Sequence, residues 1–209
     1  SSTAPVVATI TVTPTFEFDD VDCDGEDKTF TITVNPTAQV DQPLDQVVCN
    51  GEDVSVLFNT QNTLGSTSYS WISNAPIYTG PSGNGNMNFT AINSSTEPVV
   101  ATITVTPTFE NGGIVCDGED KTFTITVNPT VGVNALADQY ITSGQTSSLV
   151  NISSTTTNVT FDWTAVADSG ITGLVDFSST DTTIIPAETL FNSGTEPLEV
   201  TYTIYPVLD

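Results

Sequence analysis

SSTEPVVATITVTPTFENGGIVCDGEDKTFTITVNPT, residues 94–130, decides the fold, because the same text stands at residues 1–37 with only six changes. The changes fall at 4/97, 18/111, 19/112, 20/113, 21/114 and 22/115, at a constant offset of 93 residues. A period near 93 is the size of one β-sandwich domain, so the repeat is a better guide to domain number than the length of 209 residues. A diluted third copy, Phe191 to Pro206, matches Ile92 to Pro107 at an offset of 99. Its Cys-Asp-Gly-Glu-Asp half is missing, so the sequence reads as a window on a longer protein, beginning and ending inside domains.

Inside the repeat, Ala8, Ile10 and Val12 alternate with Thr9, Thr11 and Thr13, which is the period of a half-buried strand. Phe30, Ile32 and Val34 do the same in the second strand. Pro14 and Pro36 are expected to end these strands, since proline donates nothing to a ladder. Asn35-Pro36-Thr37 and Asn128-Pro129-Thr130 occupy equivalent places, and short proline-bearing joints are placed just after them. The chain is thereby divided into 1–38, the C-terminal part of a first β-sandwich; 39–130, a complete one; and 131–209, a third lacking its last hairpin. The six changes cluster at 18–22 against 111–115, on the predicted hairpin tip, where differences between domains in what they touch are expected.

The central domain reads as strands at Gln46–Cys49, Asp53–Phe58 and Thr67–Ile72, with Gly80–Gly85 as an exposed loop. Tyr69 and Trp71 share one face of the third strand. Trp163 recurs 92 residues after Trp71 in a similar Val-Thr-Phe-Asp-Trp strand, so both are read as core residues, with a sugar-stacking platform as the alternative for Trp71. No stretch has the period of a long amphipathic helix. Threonine-rich strands separated by Gly, Pro, Asn and Asp predict an all-β chain.

Twenty-five acidic residues face two basic ones, Lys28 and Lys121, with no Arg or His, for a net charge of −23. This excludes nucleic acid and anionic headgroups as partners, because phosphate contacts need Lys and Arg to displace counterions. A solvated acidic surface is the plain reading, and cation binding the alternative. No run approaches the roughly 20 apolar residues of a spanning helix, so direct membrane insertion is not expected.

Cys23 and Cys116 hold the same repeat position, and Cys49 opens the central domain. The expected bridge is Cys49 with Cys116, leaving Cys23 to a partner outside the fragment; Cys23 with Cys49 across the joint, or free thiols, are the alternatives. Closing a loop of about 67 residues stabilises by about 4 kcal/mol in the chain-entropy model, and a disulfide implies an oxidising setting. Asp20, Asp22 and Asp24, before Gly25, have the spacing that opens a calcium loop. The twelfth position is Thr31 rather than a bidentate Glu, and the second copy keeps only Asp117 of the three acids. The other reading is an acidic hairpin tip. Without His, nucleophile–His pairs and His-ligated metals are excluded, so no enzyme and no cofactor is expected, a Ca²⁺ site at these three acids aside. Asn88, Asn93, Asn151 and Asn158 open N-glycosylation patterns, and Asp181-Thr-Thr183 resembles an O-glycosylation site.

Several blocks together carry a family resemblance: Cys49-Asn-Gly-Glu-Asp, Tyr69-Ser-Trp71, Gly83-Asn-Gly-Asn-Met-Asn-Phe89, Ala101-Thr-Ile-Thr-Val-Thr-Pro107 and Cys116-Asp-Gly with Phe123-Thr-Ile-Thr-Val-Asn-Pro129. In the third unit, Phe161-Asp-Trp163, Ile184-Ile-Pro-Ala-Glu-Thr-Leu190 and Val200-Thr-Tyr-Thr-Ile-Tyr-Pro206 belong to a sister version. The chain resembles the PKD-like repeats of large Bacteroidota surface proteins. That resemblance implies tandem immunoglobulin-like β-sandwich domains in an elongated array, as in gliding-motility adhesins exported by the type IX secretion system. The third unit departs by lacking cysteine. The function expected is the structural stalk of an extracellular, cell-surface adhesin filament, its partners being neighbouring repeats and surface polysaccharide or the substratum. A carbohydrate- or partner-binding module is the alternative, as is the spacer of a secreted polysaccharide-degrading enzyme.

Overall fold

The repeated text builds the same hairpin twice. In a computed structural model describing residues 2–208, the first copy forms β1 (Val6–Val12), β2 (Thr15–Phe18), β3 (Val21–Asp24) and β4 (Lys28–Val34). β1 pairs antiparallel with β4, from Val6 opposite Val34 to Val12 opposite Lys28. β2 and β3 continue the hairpin to a tip at Asp19-Asp20. All four strands are exposed along their whole length.

The central segment continues with β5 (Gln46–Cys49), β6 (Asp53–Val56), β7 (Ser66–Ser73), β8 (Ser82–Asn84) and β9 (Met87–Thr90). The second copy of the hairpin comes next as β10 (Val99–Asn111), β11 (Ile114–Asp117) and β12 (Lys121–Asn128). Its register is that of the first copy, from Val99 opposite Val127 to Val105 opposite Lys121. One sheet runs β5-β12-β10-β7-β8, with β11 also on β10, and β6-β9 forms the second layer. Val54, Val56 and Met87 from the small sheet meet Trp71, Ala101, Ile103, Val105, Phe123, Ile125 and Val127 from the large one, closing a sandwich core.

β1 ends at Val12 and β4 at Val34, ahead of Pro14 and Pro36, whereas β10 in the second copy runs through Pro107. The Pro107 carbonyl accepts the Gly118 N–H at 2.9 Å, which turns the residue toward the gap where β12 has stopped and β11 has not begun, so no ladder bond is lost by the missing N–H. One sequence expectation changes here: residues 80–85 are no free loop, since Ser82–Asn84 form β8, paired to β7 opposite Ser70, Trp71 and Ile72.

Contacts divide the chain into two compact units, residues up to Ile92 with Val99–Val127, and Asn93–Pro98 with the residues from Asn128 on. The second unit contains β13 (Val150–Asn151), β14 (Val159–Ala167), β15 (Ile171–Thr172), β16 (Ser178–Thr182), β17 (Ile184–Ile185), β18 (Phe191–Asn192) and β19 (Val200–Leu208). Its main sheet runs β16-β14-β19, with β13-β17 and β15-β18 as short pairs. Ile152 and Ile185 cover Phe161, Trp163 and Ala165, a second core of the same kind. The described chain is all-β, with open sheets throughout.

Candidate functional site: the joint and the hairpin tip

The two hairpin tips are type I′ turns by their backbone, with both central residues at positive φ. In the second copy these are Gly112 (φ 62) and Gly113 (φ 77), which adopt that region freely. The first copy puts Asp19 (φ 54) and Asp20 (φ 57) there, a conformation that Asp tolerates better than most residues. The neighbouring change, Phe18 to Asn111, has a different consequence. Asn111 donates through Nδ2 to Asn35 Oδ1 at 2.9 Å, and Asn35 Nδ2 donates back to the Asn111 carbonyl at 3.0 Å. The tip of the central sandwich therefore grips the joint that precedes it.

The rest of that joint is held as well. Pro36 is buried, Asn62 Nδ2 donates to the Thr37 carbonyl at 3.1 Å, and Asn62 Oδ1 accepts the Gln39 N–H at 2.7 Å. In the second unit the buried Thr156 Oγ1 donates to the Thr130 carbonyl at 3.2 Å. Each Asn-Pro-Thr thus has its threonine carbonyl taken by a side chain from the domain after it. Sequence reasoning pointed to these segments but not to these partners, which lie about 25 residues further on in both cases.

The Cys-Asp-Gly-Glu-Asp half of the repeat has a structural use. Thr13 and Thr15 donate to Asp27 and Asp24 at 2.6 and 2.8 Å, and the equivalent Thr106 and Thr108 donate to Asp120 and Asp117 at 2.6 and 3.3 Å. Gly118 sits where an added Cβ would run into the Ala38 backbone carbonyl, which fixes glycine at that position. The calcium-loop spacing does not fold as a loop. Asp20 is in the tip turn, Asp22 and Asp24 lie in the extended strand β3, and Asp24 is occupied by Thr15. A calcium loop needs its first five positions wrapped around the ion, whereas a strand draws them apart. Among the described residues no three Asp, Glu, Cys or His side chains are grouped to hold a metal.

The expected Cys49–Cys116 bridge is not formed; Cys23, Cys49 and Cys116 are free thiols. The reason is strand direction. Gln42 Nε2 donates to the Thr122 carbonyl and the Thr124 N–H donates to Asp45 Oδ1, so the segment entering β5 runs alongside β12 in the same direction. Cys49 arrives at the Val127 end of β12, while Cys116 precedes the Lys121 end. A β12 of 8 residues separates them by roughly 25 Å, against the roughly 6 Å between Cα atoms that a disulfide spans.

Both tryptophans are core residues. Trp71 Nε1 donates to the Gly85 carbonyl at 3.1 Å, and Trp163 Nε1 to the Ile184 carbonyl at 3.2 Å. Neither leaves a face for a sugar to stack on, since Trp71 is 7% and Trp163 1% exposed. Asn93 is buried too: it donates to the Glu97 carbonyl and accepts from Ser95, so its amide is closed to glycosylation in the folded chain. Asn88, Asn151 and Asn158 are exposed.

Glu188 carries no signal in the sequence, yet it is a buried carboxylate of the second unit. Its Oε1 accepts the Asp176 N–H at 2.9 Å, and its backbone exchanges bonds with Ser147 at 2.8 and 2.9 Å. Burial, and then the charges of Glu188 and Asp176, hold the Tyr202 hydroxyl above its ordinary pKa. Glu188→Ala is expected to lower the unfolding free energy of this unit by about 1–3 kcal/mol, because the Asp176 N–H loses its acceptor. Glu188→Gln, which keeps an acceptor oxygen, should lose less; urea unfolding of the two variants checks the order.

Residues 139–209 match the model of the PKD-like domain. No curated protein matches the chain. The match covers the unit built around Trp163 and Glu188, whose β14 and β19 repeat the layout of β7 and β10 in the central sandwich. PKD-like domains are structural or adhesion-type modules, generally non-catalytic and typically extracellular. No helix among the described residues is long and apolar enough to cross a membrane.

Proposed function

We propose that this chain is a segment of the stalk of a long, repetitive adhesin on the surface of a Bacteroidota cell, of the gliding-motility type exported by the type IX secretion system. Its sandwiches, 1–38, 39–130 and 131–209, are stacked through the Asn-Pro-Thr joints and carry tension between the cell and a substratum. The observation that carries this reading is the load path through the central sandwich. Ala38 lies beside Gly118, just before β12 begins, and the chain leaves at Val127, where β12 is finishing. Because the segment entering β5 runs parallel to β12, a pull on these two points slides one along the other. Bonds loaded in shear share the force and must fail together, whereas bonds loaded one at a time unzip.

The joints support the same reading. A three-residue linker with a proline suits a semi-rigid rod better than loosely strung domains. The acidic surface keeps neighbouring domains from collapsing on each other, within a screening length of about 8 Å. Strands of eight to ten residues span roughly 30 Å, so each sandwich adds some 35–40 Å of reach. Electron micrographs of the parent protein should accordingly show a thin rod lengthening in proportion to repeat number; compact particles of constant width would contradict the stalk. A polysaccharide array probed with this chain should give no saturable binding, and a saturable signal would favour the binding-module reading instead.

A further inference from the structure

Asparagine or aspartate precedes glycine at Asn50-Gly51, Asn84-Gly85, Asn111-Gly112, Asp24-Gly25 and Asp117-Gly118. Such pairs are chemically labile, because the glycine nitrogen can attack the preceding side-chain carbonyl with no side chain of its own in the way. The fold treats the five differently. The N–H groups of Gly51, Gly85, Gly25 and Gly118 donate to the carbonyls of Ala91, Tyr69, Pro14 and Pro107 at 2.9, 2.8, 2.7 and 2.9 Å. Among the described residues no carbonyl outside the strand ladders accepts the Gly112 N–H. Gly112 is exposed, stands at φ 62 in the tip turn, and has open space where a side chain would be.

We propose that Asn111 is a site of spontaneous deamidation, which the fold leaves open while closing Asn50 and Asn84, and that its conversion releases Asn35. The Gly112 nitrogen gives up its proton and bonds to Asn111 Cγ; the Cγ–Nδ2 bond breaks, and ammonia leaves with that proton. Water then opens the succinimide ring at one or the other carbonyl, leaving aspartate or isoaspartate. Nothing is oxidised or reduced. The first copy carries Phe18-Asp19 at this place, so the repeat changes at 18/111 and 19/112 are what create the site.

The product cannot hold Asn35 as asparagine does. Asn111 Nδ2 donates to Asn35 Oδ1, and Asn35 Nδ2 donates to the Asn111 carbonyl. A carboxylate only accepts, so it meets Asn35 Oδ1 with no proton between them. Turning the Asn35 amide over serves the carboxylate but sets Oδ1 against the Asn111 carbonyl, so one of the two bonds is lost either way. Isoaspartate also adds a methylene to the backbone beside a two-residue loop whose register sets Asn111 opposite Ile114. The amide pair in turn restrains the Asn111 side chain, so freeing it quickens the attack. This inference is independent of the stalk reading.

Peptide mass spectrometry of the 209-residue chain, aged in mildly alkaline buffer, tests it. Asn111 should convert severalfold faster than Asn50 or Asn84, with isoaspartate among its products. In urea the three should react at similar rates, because the backbone bonds that hold Gly51 and Gly85 are gone. Asn35→Ala should speed the reaction at Asn111, and Gly112→Asp, which copies the first hairpin, should slow it. In the Asn111→Asp variant the side-chain amide protons of Asn35 should exchange with solvent severalfold faster than in the parent chain. Equal rates at the three asparagines in the folded chain, a preference for Asn111 that persists in urea, a rate indifferent to Asn35→Ala, or unchanged Asn35 exchange would overturn the proposal.

Discussion

Phe109→Ala is expected to destabilise the first unit by about 3–5 kcal/mol, while Phe16→Ala, the same substitution at the equivalent repeat position, should change it by less than about 0.5 kcal/mol. Both phenylalanines come after a Pro-Thr pair, both face a cysteine across their hairpin, and their neighbours in sequence are the same up to the tip. Only the surroundings differ. Phe109 is fully buried, with its ring lying in the space that Gly65 leaves by having no side chain, whereas Phe16 is 68% exposed. Truncating Phe109 removes a large apolar group from contact and leaves a cavity beside Gly65; truncating Phe16 removes a group already in water. Urea unfolding of the two variants measures the difference, and equal losses would mean that the first hairpin is packed as tightly as the second.

Trp163→Ala should cost the second unit about 3–5 kcal/mol and leave the first untouched. Its indole is 1% exposed, donates to the Ile184 carbonyl and meets Tyr202 edge-on at 5.6 Å between ring centres. It thereby ties the β16-β14-β19 sheet to the β13-β17 pair. The core of the first unit is a separate cluster with none of these residues in it, so a cooperative loss confined to one unit should split thermal unfolding into two transitions. Trp163→Phe keeps most of the packing, loses the indole donor, and should cost less.

The sandwich was legible because its strands alternate. Ile103, Val105, Phe123 and Ile125 could be assigned to an inward face from period alone, and the recurrence of tryptophan at the domain spacing marked Trp71 and Trp163 as scaffold. What stayed hidden depends on how strands lie side by side. Two cysteines at the borders of one domain look like partners until the direction of β5 relative to β12 is known, and nothing local to Gln46–Cys49 encodes that direction. The spacing of Asp20, Asp22 and Asp24 suits a loop or a strand equally, and the pairing of β3 with β2 decides between them. Asn35 and Asn111 are 76 residues apart, and Glu188 is set among polar neighbours, so neither pattern nor hydropathy could single them out. The tip at 111–115 was marked by its changes, but that one of those changes grips the preceding joint is a fact of three dimensions.

The claim that these sandwiches bear tension is tested most directly by pulling one chain from handles at Ala38 and Val127. The parallel run of the segment entering β5 along β12 predicts a single abrupt unfolding step, lengthening the chain by about 300 Å for the 89 residues between the handles. Removing the Gln42 and Asp45 contacts to Thr122 and Thr124 should lower the force of that step. Gradual extension at low force, or a step unchanged by Gln42→Ala with Asp45→Ala, would contradict the stalk account.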